Sequence, residues 1–117
     1  MNKRSVGGSY EAMAAGFLKE NGYRILEMNF RCRQGEIDIV AEDGEYLVFA
    51  EVKYRKDMAE GGALSAVDGK KRRQVSRTAL FYLARNRIPE NRPMRFDVVG
   101  ITGNRIELVK NAFDYTA

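Results

Sequence analysis

Apolar and polar residues alternate along two neighbouring stretches of this chain, residues 35–41 and 46–53, and a period of two predicts β-strands. Ile37, Ile39 and Ala41 hold the apolar positions of the first, and Tyr46, Val48, Ala50 and Val52 those of the second. Between them, Glu42-Asp43-Gly44-Glu45 sets acidic side chains beside a glycine that tolerates positive φ, the chemistry of a tight hairpin. Elsewhere the period is helical. Residues 9–21 place Ala12, Ala15 and Leu18 on one side before Gly22 stops them, and residues 68–86 carry Val75, Ala79, Tyr82 and Leu83 as an apolar stripe. Residues 23–29, 95–101 and 105–109 read as further strands, the last two joined by a turn at Thr102-Gly103-Asn104. The predicted order is αβββαββ, an α/β domain with a mixed central sheet flanked by helices. Residues 1–8 read as a flexible basic tail and residues 9–117 as a single domain.

On the second strand Leu47, Phe49, Glu51 and Lys53 share a face, which puts Glu51 and Lys53 about 7 Å apart at the backbone. A strand apolar on both faces is usually central, so two charges at its end are costly unless something uses them. Asp38 and Val40 are expected opposite Ile37 and Ile39, and pairing through the hairpin can bring Asp38 alongside Glu51. Two carboxylates about 4 Å apart repel by roughly 4 kcal/mol at an effective dielectric of 20, and a divalent cation turns that repulsion into binding. Hard oxygen ligands without histidine or thiolate favour magnesium, with manganese as the alternative, over zinc. Lys53 can hold a water or steady charge on a phosphate. Glu-x-Lys alone is a common pattern, and at a strand end it is usually a surface ion pair. Asp38 and the apolar character of the strand make this instance more specific.

Composition narrows the chemistry. The 117 residues contain no histidine, which removes imidazole bases and histidine-metal sites together. Cys32 is the only cysteine, so neither an internal disulfide nor a thiolate zinc site is available, and no phosphate-loop or dinucleotide motif occurs. With no apolar run near 18 residues and no charged-then-apolar leader, neither membrane nor export is expected, and the setting is read as cytoplasmic.

The net charge of +4 is unevenly placed: between Lys53 and Arg95, 12 Lys and Arg face 4 Asp and Glu. The densest part, Lys70-Lys71-Arg72-Arg73, opens the second helix, with Arg77 one turn on and Arg55 at the end of the preceding strand. Cations in a first turn oppose the helix dipole, a penalty that a bound phosphate would reverse. A nucleic-acid partner is therefore expected, and charge alone does not separate DNA from RNA. The plainer reading is a solvated face. Glu11 is placed in the first turn of its helix, where a capping role competes with a chemical one. Gly61-Gly62 marks a mobile loop, and Asp97 is expected to pair with an arginine or lysine rather than with metal.

Several stretches together resemble the uncharacterised YraN-like bacterial family: Gly22-Tyr-Arg-Ile-Leu26, Asn29-Phe-Arg-Cys-Arg33, Gly35-Glu-Ile-Asp-Ile-Val40, Val48-Phe-Ala-Glu-Val-Lys-Tyr-Arg55, Gly61-Gly62, Lys71, Arg95-Phe-Asp-Val-Val99 and Asn111-Ala-Phe113. The resemblance implies a restriction-endonuclease-like PD-(D/E)xK fold, distantly similar to archaeal Holliday junction resolvases. It implies Glu11 as the acidic residue of the first motif, Asp38 and Glu51 as metal carboxylates, Lys53 as the lysine of the last motif and Lys71 as a helix residue approaching phosphate. Tyr10 departs from the glycine more often found before that glutamate. The expected function is magnesium-dependent hydrolysis of phosphodiester bonds in DNA, with branched or junction DNA as the analogy, Val52 lending its carbonyl to the metal, and a symmetric homodimer for cutting two strands. The alternatives are a non-catalytic nucleic-acid-binding module on the same fold and a protein-interaction adaptor.

Overall fold

A computed structural model describes residues 3–55, 68–103 and 105–116, with side chains from Ser9 onward in the first segment. The expected loop at Gly61-Gly62 and the turn residue Asn104 lie outside these residues. The order is α1 (Lys3–Glu20), β1 (Arg24–Cys32), β2 (Gly35–Asp43), β3 (Tyr46–Arg55), α2 (Gly69–Arg85), β4 (Met94–Thr102) and β5 (Arg105–Phe113). The five strands form one sheet in sequence order, antiparallel except for the parallel pair β3–β4 that the crossover through α2 makes possible. This is the mixed α/β sheet with two helices that the periodicities predict.

Each face of the sheet buries one helix. Val75, Ala79, Tyr82 and Leu83 of α2 pack on Phe30, Ile37, Val40, Leu47, Phe49, Phe96 and Val98. Ala14, Ala15 and Leu18 of α1 pack on Ile39, Ala41, Val48, Ala50 and Val99. With both faces covered, β3 is buried from Leu47 to Glu51. The expected apolar stripe of α2 is buried throughout, whereas on α1 Ala12 is exposed and Ala14 takes its place.

Three local expectations are corrected. Helix α1 begins at Lys3, so the backbone of residues 3–8 is helical rather than a tail; no proline interrupts it, and each glycine costs a helix only about 1 kcal/mol. Glu11 therefore lies well inside the helix, and its proposed capping role disappears. The helix ends as predicted: Gly22 takes φ 89° and donates to the Lys19 carbonyl while Tyr23 donates to that of Leu18, and Leu18 and Tyr23 enter the same core.

The third correction concerns strand alternation. Ile37 packs with α2 but Ile39 with α1, and in β1 Met28 packs against the α1 core while Phe30 enters the α2 core. Asn29, between the latter two, has φ 56°, and a left-handed residue breaks the pleat. Ile37 and Ile39 consequently do not share a face, and the break falls at Asp38.

Candidate active site

The β2–β3 hairpin closes on Gly44-Glu45, with Asp43 opposite Tyr46, and its ladder runs to Ile39 opposite Ala50. The next pair in register would be Asp38 and Glu51. Here the carboxylate replaces the ladder: Oδ2 of Asp38 accepts the Val52 N–H at 2.8 Å. β3 meanwhile keeps its pairing with β4 out to Arg55. A gap opens between β2 and β3, and residues from both helices, otherwise on opposite faces, meet across it. Tyr10 and Glu11 of α1, Glu36 and Asp38 of β2, Glu51 to Tyr54 of β3 and Lys71 of α2 line one cavity of about 310 Å³.

Its electrostatics are unbalanced. Glu51 is 2% exposed; Oε2 lies 3.6 Å from Lys71 Nζ, and Oε1 has no hydrogen-bond partner. Burial, then the charge of Asp38, pushes the Glu51 carboxyl up to about 8, with Lys71 and Lys53 pulling back only in part. Burial also raises Asp38, against the lowering effect of the Val52 amide. Glu11 is raised by burial and by Asp38, and the Asn29 side chain bonded to it lowers it. Carboxylate oxygens of Glu11, Glu36 and Asp38 lie within 4.8 Å of one another.

The four expected catalytic residues, Glu11, Asp38, Glu51 and Lys53, are thus brought to one cavity together with Val52. Because the N–H and C=O of one strand residue point to the same neighbour, the Val52 carbonyl also turns toward the β2–β3 gap. Glu36 is an addition. It shares the period-two register of Asp38, which is the signal that could have found it, and it pairs with Arg31. Asn29 had no such signal, since only its positive φ and tertiary position bring it to Glu11. Tyr10, in place of the expected glycine, stacks on Tyr54 with ring centroids 4.2 Å apart, leaving α1 undisturbed.

The basic residues divide. Lys70, Lys71, Arg73 and Arg77 line a groove of about 330 Å³ with Gln34, Asp68 and Gln74. Gly35 shapes this groove: it holds φ 147°, and a Cβ there would stand 2.7 Å from Gln74, so the β1–β2 turn can sit directly on α2. Arg72 instead lies over the Phe113 ring at 5.5 Å, and Arg55, at the end of β3 beside the β4–β5 turn, is outside the groove. Helix direction explains the split: at about 100° per residue, positions 70, 71, 73, 74 and 77 fall within one arc of the helix and position 72 falls roughly opposite its middle. Asp68 caps α2 by accepting the Lys71 N–H at 2.9 Å. That amide is therefore unavailable to an anion. Lys71 lines both groove and acidic cavity.

Asp97 does what was expected of it. Arg95 bonds both its oxygens at 2.9 Å, and Tyr23 Oη and the Asn111 N–H complete it. It takes no part in the acidic cavity.

The cavity suits a hard divalent cation. Its donors are all oxygens, the acidic cluster outweighs its lysines, and a buried Glu51 oxygen is left without a donor. Among the described residues no helix is long and apolar enough to cross a membrane.

Residues 10–101 match a family described as Uncharacterised protein family UPF0102. A UPF0102 protein of Lachnoclostridium phytofermentans is 51% identical over 114 residues, covering 97% of both chains. One from Syntrophus aciditrophicus is 49% identical, over 89% of this chain and 84% of its own. Another, from Caldicellulosiruptor saccharolyticus, is 43% identical over 97% of this chain and all of its own.

Proposed function

The chain belongs to the uncharacterised protein family UPF0102, and from that starting point we propose that it is a metal-dependent endonuclease of the PD-(D/E)xK kind, acting on DNA in the cytoplasm. One observation carries the reading: a buried glutamate with an unsatisfied oxygen stands beside a second carboxylate, in a cavity joined through Lys71 to a basic groove. A structural ion pair would have been completed from both sides, as Asp97 is. A carboxylate left half-satisfied in an acidic cavity is fitted to a cation.

Asp38 and Glu51, with the Val52 carbonyl, would hold magnesium or manganese. When bound, such a cation supplies Lewis-acid polarisation of the phosphate and stabilises charge on the departing oxygen. Lys53, beside Glu51 on β3, orients the attacking water, and Glu11 receives a water or adds a ligand. Lys70, Lys71, Arg73 and Arg77 seat the flanking phosphates. The site's position at the end of two splayed strands leaves it reachable by a backbone lying along α2. Branched or junction DNA is the favoured substrate by the family resemblance, and a symmetric dimer fits cleavage of two strands.

The test is incubation of purified protein with linear, flapped and four-way DNA in magnesium and in manganese, beside Asp38→Asn and Lys53→Ala. The expected result is nicking by the wild type and a loss of at least about 10²-fold in either variant. Cleavage persisting at the wild-type rate in both variants would overturn the site. The groove by itself favours a second reading, a binding module that cuts nothing. Salt-sensitive binding without turnover, unharmed by Glu51→Gln, would decide for it; binding indifferent to salt would point to a protein adaptor instead.

A further inference from the structure

We propose that Lys71 couples cation binding to phosphate binding: it holds Glu51 while the carboxylates carry no divalent cation, and moves into the basic groove to take a phosphate when they do. This rests on the nuclease reading and adds a regulation to it.

The geometry comes from two cavities that share one side chain. Lys71 lines the acidic cavity with Glu11, Asp38 and Glu51, and also the groove with Lys70, Arg73 and Arg77. Its backbone is fixed, because Asp68 caps its N–H at 2.9 Å. Its stem is not. The side chain is 27% exposed, with a single ion pair at 3.6 Å to a carboxylate that is 2% exposed. Among the described residues no other ion pair reaches Glu51, and Oε1 remains unpartnered. The contact is therefore a placeholder rather than a completed pair, unlike the bidentate Arg95–Asp97 arrangement at 2.9 Å.

Charge then dictates the exchange. A protonated lysine has no lone pair to offer a metal, and a divalent cation on Asp38 and Glu51 would neutralise the partner that Lys71 holds and repel its ammonium, which favours departure of the side chain. Among the described residues the four-carbon stem also lines the groove, and from a capped first turn it can turn that way. There a fourth cation joins Lys70, Arg73 and Arg77 against the one carboxylate of Asp68, an excess of positive charge that phosphate compensates. Occupation of the carboxylates thus favours phosphate in the groove. By linkage, phosphate in the groove favours cation on the carboxylates by the same factor. Such a protein keeps an idle site neutralised and assembles it only on its substrate.

The experiment uses calcium, a hard divalent cation, and a labelled DNA duplex checked for intactness. Anisotropy gives the duplex affinity with calcium and with chelator, and calorimetry gives calcium affinity for the protein alone. Both are read at one pH and one low salt concentration, so that only the second ligand and the residue at position 71 vary. Wild type should bind the duplex on the order of tenfold tighter in calcium. Lys71→Met should reduce that factor to about twofold while binding calcium alone at least as tightly as wild type. Lys71→Arg, which retains charge and reach, should preserve the coupling and guards against a misfolded Met variant. Lys70→Met should weaken duplex binding equally with and without calcium. Coupling unchanged in Lys71→Met, or calcium binding weakened by it, would overturn the exchange. A wild type that binds both ligands with no mutual effect overturns the coupling alone; one that gives no calcium heat or no duplex binding overturns the nuclease reading, and the coupling with it.

Discussion

Two buried carboxylates stand almost side by side on parallel strands. Asp97 of β4 pairs in register with Ala50, and the next residue of β3 is Glu51. They belong to opposite faces, Asp97 with Tyr23 and the α1 core, Glu51 with Lys71 of α2. Around Asp97 every demand is met. Arg95 bridges Asp97, Asp43 and Tyr23, the Asn111 amide fills the remaining acceptor position, and the Arg95 guanidinium lies over the Tyr23 and Tyr46 rings. Desolvation raises the Tyr23 hydroxyl, while Arg95 holds Asp43 below the usual carboxylate range. Around Glu51 the balance runs the other way. Carboxyls crowd together and are raised, and one oxygen has no donor. The contrast teaches that burial of charge is not itself a sign of function. Incompleteness is.

The sharpest way to break this comparison is to remove one carboxylate from each cluster. Asp97→Ala strands a guanidinium only 12% exposed and should cost about 3–5 kcal/mol of stability. Glu51→Gln removes an ionisation that folding opposes and should raise metal-free stability above pH 8. Urea midpoints compare the two directly, and a Glu51→Gln loss matching that of Asp97→Ala would make both sites structural.

pH gives the next largest effect. The folded Glu51 pKa of about 8 lies above its ordinary 4.5, so between those values the folded protein holds a proton that the unfolded chain has released. Its contribution to stability is whole below pH 4.5 and is lost as pH rises to about 8, by up to about 1.4 kcal/mol per unit. Asp38 and Glu11, also raised, act in the same direction. Denaturation midpoints across this window should fall in wild type without metal and fall less steeply in Glu51→Gln.

A cation should reverse that loss. Magnesium or manganese at about a hundred times its dissociation constant should stabilise wild type by about 2.7 kcal/mol and Asp38→Asn far less, read as the thermal midpoint at pH about 8. Equal shifts in both would place the metal elsewhere. The smallest effect is expected from Arg31→Ala, which frees Glu36 from an exposed pair and should alter stability by under about 1 kcal/mol while making the cavity more negative.

Much of this was legible before any coordinates. Periodicity placed all seven elements, because burial on a sheet face or a helix stripe imprints a period of 2 or 3.6 on the chain. Asp38, Glu51 and Lys53 stood out because charge at the end of a two-faced apolar strand breaks that imprint. Glu36 was hidden beside them as an ordinary polar position, and the start of α1 was obscured by Gly7 and Gly8.

Other features have no period to betray them. The left-handed Asn29, the break of alternation at Asp38, the amide taken by its carboxylate and the meeting of α1 with α2 across a splayed sheet all depend on long-range packing. So does the division of the basic run, which sends Arg72 to Phe113 and Lys71 to Glu51. Local pattern specifies which residues must be buried and with what repeat, and from it the elements and the acidic candidates follow. Which buried carboxyl receives its full set of donors, and which is left open, is decided only when distant strands and helices compete for the same space.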